Sequence, residues 1–271
     1  MAVNQWCFPE GTALEQVFSV SRQAGLDGVE LNLYMPGSVG LTMESTAVEA
    51  RGVRELANGY GLELKSLSTG LLWDAPLSSP DAQLRNQGRS IVRKQLELAS
   101  EMEMDAVLVV PGAVTNEVAY EECYFRSQQE IADLEKDARR LGVRIAIENV
   151  WNKFLLSPLD MARYVDELQS DAVGVYFDVG NVLQFGFPQQ WIRYLGGRIV
   201  KVHVKDFSRA VGNITGFVPL LAGDVDWPAV REALSAIGYA DYVTAELTPY
   251  AAYPEQLIRD AAGHLSLIFN S

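Results

Sequence analysis

Short runs of apolar and β-branched residues recur along the whole chain, and each run predicts a strand. The eight predicted strands cover residues 3–8, 27–33, 62–68, 105–110, 143–150, 172–179, 199–206 and 242–247. Between these runs, apolar residues recur at intervals of three and four, as in a helix with one buried face. The chain therefore alternates predicted strands with predicted helices.

The sequence also indicates where several helices begin and end. Two apolar series stop at a glycine: Ile131, Leu134, Ala138 and Leu141 precede Gly142, and Trp227, Val230, Leu234 and Ile237 precede Gly238. Three helix starts are predicted from capping signals, namely Thr12 with Glu15, Ser157 with Pro158, and Asp226 with Trp227-Pro228. The apolar stripes of these helices are predicted to face the sheet.

This alternation continues without a long linker, a low-complexity tract or a change in composition, which favours parallel strands throughout. A (β/α)8 TIM barrel closes such a sheet without free edges, and its usual size fits 271 residues with 48% hydrophobic content. We therefore predict an α/β fold with a single TIM-barrel domain over residues 1–271. A doubly wound open sheet is the alternative, but the sequence has neither GxGxxG after the first strand nor GxxxxGK[ST].

Composition and charge narrow the choice of partners. A net charge of −13 repels phosphate backbones, so we expect no nucleic acid as a partner. No stretch approaches the roughly 18 uninterrupted apolar residues of a membrane span, and the first residues form no basic leader. Cys7 and Cys123 are far apart and predict neither a disulfide framework nor a thiolate metal site. We expect a cytoplasmic protein without a membrane partner.

Polar side chains lie at or near the ends of the last four predicted strands. They are Glu148, Asp178, His203 and Glu246. Neighbouring strands of a TIM barrel bring their carboxyl ends together, so these side chains are predicted to converge. Three carboxylates with one imidazole suit Mn²⁺, Mg²⁺ or a related divalent ion better than a structural zinc site. The alternative is that some of them form ordinary buried salt bridges with Lys201 or Lys205.

Five segments of the chain together form a family pattern. They are IENVWNKFLLSP around Glu148, YFDVGN around Asp178, KVHVKDF around His203, GDVDW at residues 223–227 and TAEL around Glu246. In this order and spacing they resemble the sugar isomerase/epimerase family with the xylose-isomerase-like barrel, which includes ketose and ketose-phosphate 3-epimerases. The resemblance covers nearly the whole chain.

The resemblance implies particular roles for these residues. The four strand-end side chains would bind one divalent metal ion, with Mn²⁺ expected first and Mg²⁺, Co²⁺ or Zn²⁺ as alternatives. Glu148 and Glu246 would also exchange protons with the substrate, and Arg209 would contact it. Assembly into a homodimer or homotetramer is a further implication.

The implied reaction is 3-epimerisation of a ketose or ketose phosphate through a cis-enediolate, with one glutamate removing the C3 proton and the other returning one from the opposite face. A single base working between C1 and C2 would instead make an aldose-ketose or hydroxypyruvate-type isomerase. Loss of a β-hydroxyl would make an inosose-type dehydratase, and a non-catalytic sugar-binding protein is a remote alternative. A related family of endonucleases for abasic DNA needs many histidines to bind three zinc ions, and this chain has two histidines.

Several further residues are candidates for the substrate pocket. Aromatic residues near strand ends can pack on the apolar C–H faces of a sugar, and these are Trp6, Trp73, Trp151 and Phe207. The candidates for holding a phosphate group are Lys205, Arg209, Asn213 and Gly216. Since none of these forms a decisive motif, a free ketose and a ketose phosphate both stay open, although the acidic charge slightly disfavours a highly charged substrate.

The chain departs from the family pattern at two substrate positions. Several epimerases of free sugars have a histidine where this chain has Asn181, and a glutamate where it has Phe154. Asn181 is expected either to donate to a substrate hydroxyl or to form a strand-end turn with Gly180. Glu30, which closes the second predicted strand, is expected to brace the barrel rather than to orient a substrate group.

Overall fold

Eight parallel strands form a closed barrel in the computed structural model of the chain, which describes residues 1–270. The strands are β1 Ala2–Asn4, β2 Gly28–Tyr34, β3 Glu63–Thr69, β4 Ala106–Val109, β5 Arg144–Glu148, β6 Val173–Asp178, β7 Ile199–Val204 and β8 Val243–Ala245. Around the barrel they follow the order β1, β8, β7, β6, β5, β4, β3, β2, and β2 pairs with β1. The predicted TIM barrel is confirmed and the open sheet is wrong. Ser271, the last residue of the predicted domain, lies outside the described residues.

A helix of two or more turns follows each strand and covers the outside of the barrel. The helices are α1 Leu14–Gln23, α2 Ala47–Gly59, α3 Ala82–Glu101, α4 Tyr120–Leu141, α5 Pro158–Asp166, α6 Pro188–Leu195, α7 Trp227–Ala236 and α8 Pro254–Phe269. Their buried residues pack with the outward-facing strand residues into the hydrophobic core. Within residues 1–270, none of the helices has the length and apolar character that crossing a bilayer requires.

The predicted helix starts at Ser157 and Asp226 are confirmed, because each side chain accepts a hydrogen bond from a backbone N–H in the first turn of α5 or α7. The start predicted at Thr12 is wrong. The Thr12 hydroxyl donates to the backbone oxygen of Pro9 at 2.6 Å, and α1 begins later, at Leu14. The Thr12 side chain therefore stabilises the turn before α1 and does not cap the helix.

The first and the seventh predicted strands change into other local structure before their predicted ends. β1 stops at Asn4, whose side chain accepts a hydrogen bond from Trp6 N at 2.6 Å and starts a 3₁₀ turn, Gln5–Cys7. The seventh predicted strand divides into β7 and a two-residue strand, Asp206–Phe207, which pairs antiparallel with Phe217–Val218. Both breaks follow the carboxyl end of a barrel strand, so they shape the end of the barrel where TIM barrels carry their functional residues.

A buried ion pair closes the opposite, amino end of the barrel. Lys201 on β7 is 2% exposed; its Nζ lies 2.7 Å from Asp105 Oδ1 and is hydrogen-bonded to Asp241. Burial raises the pKa of the Asp241 carboxyl, but its hydrogen bond and charge pairing with Lys201 outweigh burial and hold that pKa below its usual value. The suggestion that Lys201 pairs with the strand-end carboxylates is therefore wrong.

We expect Lys201→Met to lower the free energy of unfolding by roughly 1–3 kcal/mol, because it leaves partly buried carboxylates without their cation. The Asp241 pKa is lowered in the folded state, so its contribution is fully present above about pH 4 and is lost as the pH falls through the folded-state pKa. The difference in the free energy of unfolding between the original chain and Lys201→Met should therefore become smaller at low pH. Denaturant unfolding at several pH values measures it.

The matched control is Lys136→Met, which removes an ion pair between Lys136 and Asp133 whose side chains are 75% and 55% exposed. That change should lower the free energy of unfolding by at most about 1 kcal/mol. An equal loss in the two variants would contradict a special role for Lys201.

Candidate active site

The structure brings together the four side chains that were predicted to converge. Glu148 ends β5 and Asp178 ends β6. His203 lies one residue before the end of β7, and Glu246 directly follows β8. Each side chain offers one ligand atom, and these four atoms lie within 4.8 Å of one another. The cluster is therefore located at the carboxyl end of the barrel, inside the ring of strands.

A carboxylate from β2 holds the imidazole of His203. His203 Nε2 lies 2.5 Å from Glu30 Oε2, and both side chains are buried. The other hydrogen-bond donors to Glu30 are Asn4 Nδ2 at 2.6 Å, Ser66 Oγ at 2.8 Å and Tyr176 Oη at 2.7 Å. Since an ionised carboxylate only accepts hydrogen bonds, this contact assigns the proton to Nε2. The other ring nitrogen, Nδ1, faces the cluster. Burial lowers the pKa of His203, but the charge of Glu30 and the other carboxylates outweighs it and raises that pKa well above its usual value, so Nδ1 would give up its proton and offer a lone pair only to a bound cation.

Lys205, two residues after His203, extends into the same cluster. Its Nζ lies 2.6 Å from Glu246 Oε2 and 3.2 Å from Asp178 Oδ2. The ammonium also lies 5.0 Å from the centroid of the Phe217 ring. Lys205 thus forms the salt bridges that the sequence offered as the alternative explanation of the cluster.

The crowding of acidic groups shifts the pKa values of the cluster in different directions. Burial raises the pKa of Glu148 to about 7, and the charge of Glu246 adds to the effect. Burial also raises the pKa of Asp178, a shift that Lys205 only partly offsets. For Glu246, the positive charges of Lys205 and His203 outweigh burial and lower the pKa. Negative charge in this buried place therefore favours a bound proton or cation.

Two buried atoms of the cluster fit a metal ion better than a salt bridge. Within residues 1–270, Asp178 Oδ2 and His203 Nδ1 have no hydrogen-bond partner. His203 Nδ1 lies 3.6 Å from Glu148 Oε1 and 3.6 Å from Glu246 Oε2, too far for a hydrogen bond. Lys205 Nζ lies 3.2 Å from Asp178 Oδ2 and offsets its charge, but no salt bridge with Lys205 accounts for His203 Nδ1, which points into the cluster. Three carboxylates and one imidazole could hold one divalent cation here.

A cleft of about 560 Å³ opens directly above the cluster. Trp6, Trp73 and Trp151 line it, as the sequence analysis suggested, together with Lys205 and Glu246 of the cluster. The fourth aromatic candidate, Phe207, is fully buried behind Trp151, with ring centroids 5.3 Å apart, and packs in the core. The cleft therefore has aromatic walls and a charged floor.

Side-chain amides tie the carboxyl ends of β5 and β6 together. Asn149 exchanges two hydrogen bonds of 2.8 Å with the backbone of Asp178. Asn181 Nδ2 donates to the Asn149 backbone oxygen at 2.9 Å, and Trp151 Nε1 donates to the Asn181 backbone oxygen at 2.9 Å. Gly180 and Asn181 lie in a one-turn helix, Val179–Val182, directly after β6, and Asn181 also lines the cleft, so the strand-end turn is present and contact with a substrate hydroxyl stays a prediction.

Phe154 and Arg209 lie away from the cluster. Phe154 is buried and packs its ring on three tyrosines, Tyr120, Tyr124 and Tyr164. The Arg209 side chain is 56% exposed, its backbone N–H donates to Asp224 at 2.8 Å, and it does not line the cleft. The structure thus brings Trp151, Asn181 and Lys205 to the cleft but not Arg209, whose contact with a substrate stays a prediction.

A buried aspartate organises the loop between β7 and α7, which supplies one wall of the cleft. Asp206 is fully buried, and its carboxylate accepts hydrogen bonds from Phe207 N at 2.9 Å, Leu221 N at 3.0 Å, Val225 N at 3.1 Å and Trp227 Nε1 at 3.0 Å. A Cβ atom at Gly223 would lie 2.3 Å from Asp206 Oδ1, so glycine is required there. This explains the GDVDW segment and fixes Phe217 and Val218 at the cleft.

Sequence reasoning missed the contact between Glu30 and His203. It expected Glu30 to brace the barrel and gave it no place near the cluster, but the side chain reaches His203 through the interior. The signal was present, because Glu30 closes an apolar strand in GVELN just as Glu148 does in RIAIEN. The roles of Asn149 and Asp206 were also missed, since no periodicity marks them.

Comparison with known proteins gives the same fold and a consistent set of relatives. The model of the family described as xylose isomerase-like TIM barrel matches residues 18–267. An L-ribulose 3-epimerase of Mesorhizobium japonicum is 24% identical over 257 residues, covering 92% of this chain and 80% of that protein. An L-ribulose-5-phosphate 3-epimerase of Salmonella heidelberg is 23% identical over 240 residues, covering 88% and 84%. A solved structure of an L-ribulose 3-epimerase has a TM-score of 0.83 at 20% identity and covers 100% of this chain and 94% of that one. These relatives are sugar epimerases, which are isomerases acting on carbohydrates.

We expect Asp206→Asn to destabilise the protein by roughly 1–3 kcal/mol, because an amide NH2 would then face two N–H donors that now share a carboxylate oxygen. Hydrogen exchange should rise in residues 207–227, as measured by mass spectrometry alongside denaturant unfolding. The control is Asp226→Asn at the start of α7, where asparagine caps a helix as well as aspartate does. Equal effects of the two substitutions would disprove the anchoring role of Asp206.

Proposed function

We propose that this chain, which belongs to the xylose isomerase-like TIM barrel family, is a divalent-metal-dependent ketose 3-epimerase. The observation that carries the proposal is the four-residue cluster, in which Glu148 and Glu246 both lie 3.6 Å from the free Nδ1 of His203. The relatives described above that are named as 3-epimerases support the same reaction. The proposed substrate is a small sugar with a ketone at C2.

Four side chains of this chain would hold the cation: Glu148, Asp178, His203 and Glu246. We propose Mn²⁺ as the ion, with Mg²⁺, Co²⁺ or Zn²⁺ as alternatives, because oxygen donors dominate the set. When bound, the ion would polarise the ketone and lower the pKa of the neighbouring C–H. Glu30 would keep the His203 ring oriented, with its proton on Nε2.

Two glutamates carry the proposed proton transfers. Glu148 at the end of β5 and Glu246 after β8 come from strands that are separated by β6 and β7, so they approach the cluster from different sides. One carboxylate removes the C3 proton to give a cis-enediolate, and the other delivers a proton to the opposite face, which inverts the centre. Two carboxylates favour this reaction over an isomerase with one base, and no feature of the cleft favours a dehydratase or a non-catalytic sugar-binding protein.

The walls of the cleft would bind the carbon chain of the sugar. Trp6, Trp73 and Trp151 offer flat apolar surfaces to its C–H groups. Lys205 and Asn181 are the polar side chains proposed to contact substrate oxygens. A cytoplasmic location and assembly into a homodimer or homotetramer stay predictions.

We expect Glu148→Gln and Glu246→Gln each to lower the turnover number by about 10²–10⁴-fold, because each removes one of the two proton-transfer groups. The assay incubates protein, Mn²⁺ and ketose in D2O and follows deuterium at C3 by NMR. Circular dichroism should show both variants folded, and Glu97→Gln on the exposed side of α3 should keep full activity. Normal turnover in either site variant would remove that glutamate from the mechanism.

We also expect Glu30→Gln to weaken Mn²⁺ binding by about 10–100-fold, since a carboxylate behind a ligating histidine orients it and raises its basicity. Free Mn²⁺ measured by electron paramagnetic resonance gives the affinity independently of activity. Ser66→Ala is the control, because it removes one donor to Glu30 and leaves the contact with His203 in place. Unchanged Mn²⁺ affinity in Glu30→Gln would show that Glu30 only braces the barrel.

A further inference from the structure

We propose that the substrate of this cleft is an uncharged ketose without a phosphate group, which refines the proposed function and rests on it. The sequence left a free ketose and a ketose phosphate open. Two observations decide between them: the charge balance of the cluster, and the position of every residue that was a candidate for binding phosphate.

The one ammonium group beside the cluster is already paired with carboxylates. Among residues 1–270, Lys205 is the one cationic side chain that lines the cleft, and its ammonium contacts Glu246 at 2.6 Å and Asp178 at 3.2 Å. Three carboxylates, those of Glu148, Asp178 and Glu246, would balance Lys205 and one divalent cation. With the cation bound, His203 would be a neutral ligand, and the carboxylate of Glu30 behind it would add one more negative charge. A phosphate dianion would therefore add negative charge that no cation of the cleft offsets.

The other candidates for binding phosphate are engaged elsewhere. The side-chain oxygen of Asn213 accepts hydrogen bonds from Thr215 N at 2.9 Å and Thr215 Oγ1 at 2.8 Å. The backbone N–H of Gly216 donates to the backbone oxygen of Asn213 at 2.8 Å. Arg209 lies beside Asp224, with a half-exposed side chain that does not line the cleft. None of these groups offers the cleft a charged or polar contact for an anion.

Apart from the side chains of Asn181, Lys205, Glu246 and Thr248, the lining of the cleft is largely apolar. It includes Trp6, Trp73, Ile214, Phe217, Val218 and Leu257. These surfaces match the C–H faces of an unmodified sugar, which present no charge. A phosphate ester at the far end of the sugar would lose hydration there, and the described lining beyond Lys205 offers neutral groups such as the hydroxyl of Thr248 but no cation, which is unfavourable for a dianion. The cleft is thus suited to the free sugar.

The test compares each free ketopentose and ketohexose with its own terminal phosphate ester, using the Mn²⁺-loaded protein in D2O. We expect deuterium at C3 of a free ketose, with kcat/KM at least roughly tenfold above that of the matched ester. An ester that reacts as well or better would overturn this inference and leave the epimerase proposal standing. No exchange in either series would overturn both proposals.

Binding gives a readout that does not depend on turnover. Saturation-transfer NMR with the protein loaded with diamagnetic Mg²⁺ should detect the free ketose more strongly than its ester, since no cation of the cleft matches the charge of the ester. Stronger binding of the ester would count against the inference, even if turnover favoured the free sugar.

A matched pair of variants tests the physical reason. Ile214 is 67% exposed at the apolar edge of the cleft. Ile214→Arg adds a cation there and should raise the ratio of ester to free-sugar kcat/KM by roughly tenfold, because arginine pairs with phosphate oxygens. Ile214→Gln adds a polar chain without charge and should leave the ratio unchanged. If Ile214→Arg and Ile214→Gln gave the same ratio of ester to free-sugar kcat/KM, charge would not be the reason that the cleft excludes phosphate.

Discussion

The hydrogen bond between Glu30 and His203 joins β2 to β7 through the inside of the barrel, and the geometry of the site depends on it. It fixes the orientation of the imidazole ring and places a proton on Nε2, so that Nδ1 faces Glu148 and Glu246. The contact requires a narrow interior, because neither side chain extends far from its strand. Closure of the sheet is therefore what makes the cluster possible.

The barrel interior is unusually polar for this architecture, where branched apolar residues normally fill it. Lys201 occupies the amino end with its two aspartates, while Glu30, Tyr176 and His203 lie above it and lead to the cluster. Each of these buried charges has an opposite charge or several hydrogen bonds beside it, which offsets the loss of hydration. The apolar core between the strands and the helices supplies the burial that holds this polar column in place.

Loops rather than strands determine what the cluster can act on. The amides of Asn149 and Asn181 position Trp151, and Asp206 anchors the loop that carries Phe217. These two sets of hydrogen bonds place aromatic rings above the charged cluster, so the cluster opens into a cleft with largely apolar walls. Chemistry and substrate preference are thus carried by separate parts of the fold, one on rigid strands and one on anchored loops.

The sequence by itself determined the barrel, because strand and helix periodicities are local, and it located the metal cluster, because the carboxyl ends of neighbouring parallel strands must meet. It also marked the capping residues of α5 and α7. Only the tertiary structure decided that Glu30 reaches His203, that Phe154 packs among tyrosines and that Arg209 lies outside the cleft. The physical reason is that contacts across the barrel depend on its closed radius, and loop contacts depend on which buried groups satisfy one another's hydrogen bonds. Neither of these leaves a periodic pattern along the chain.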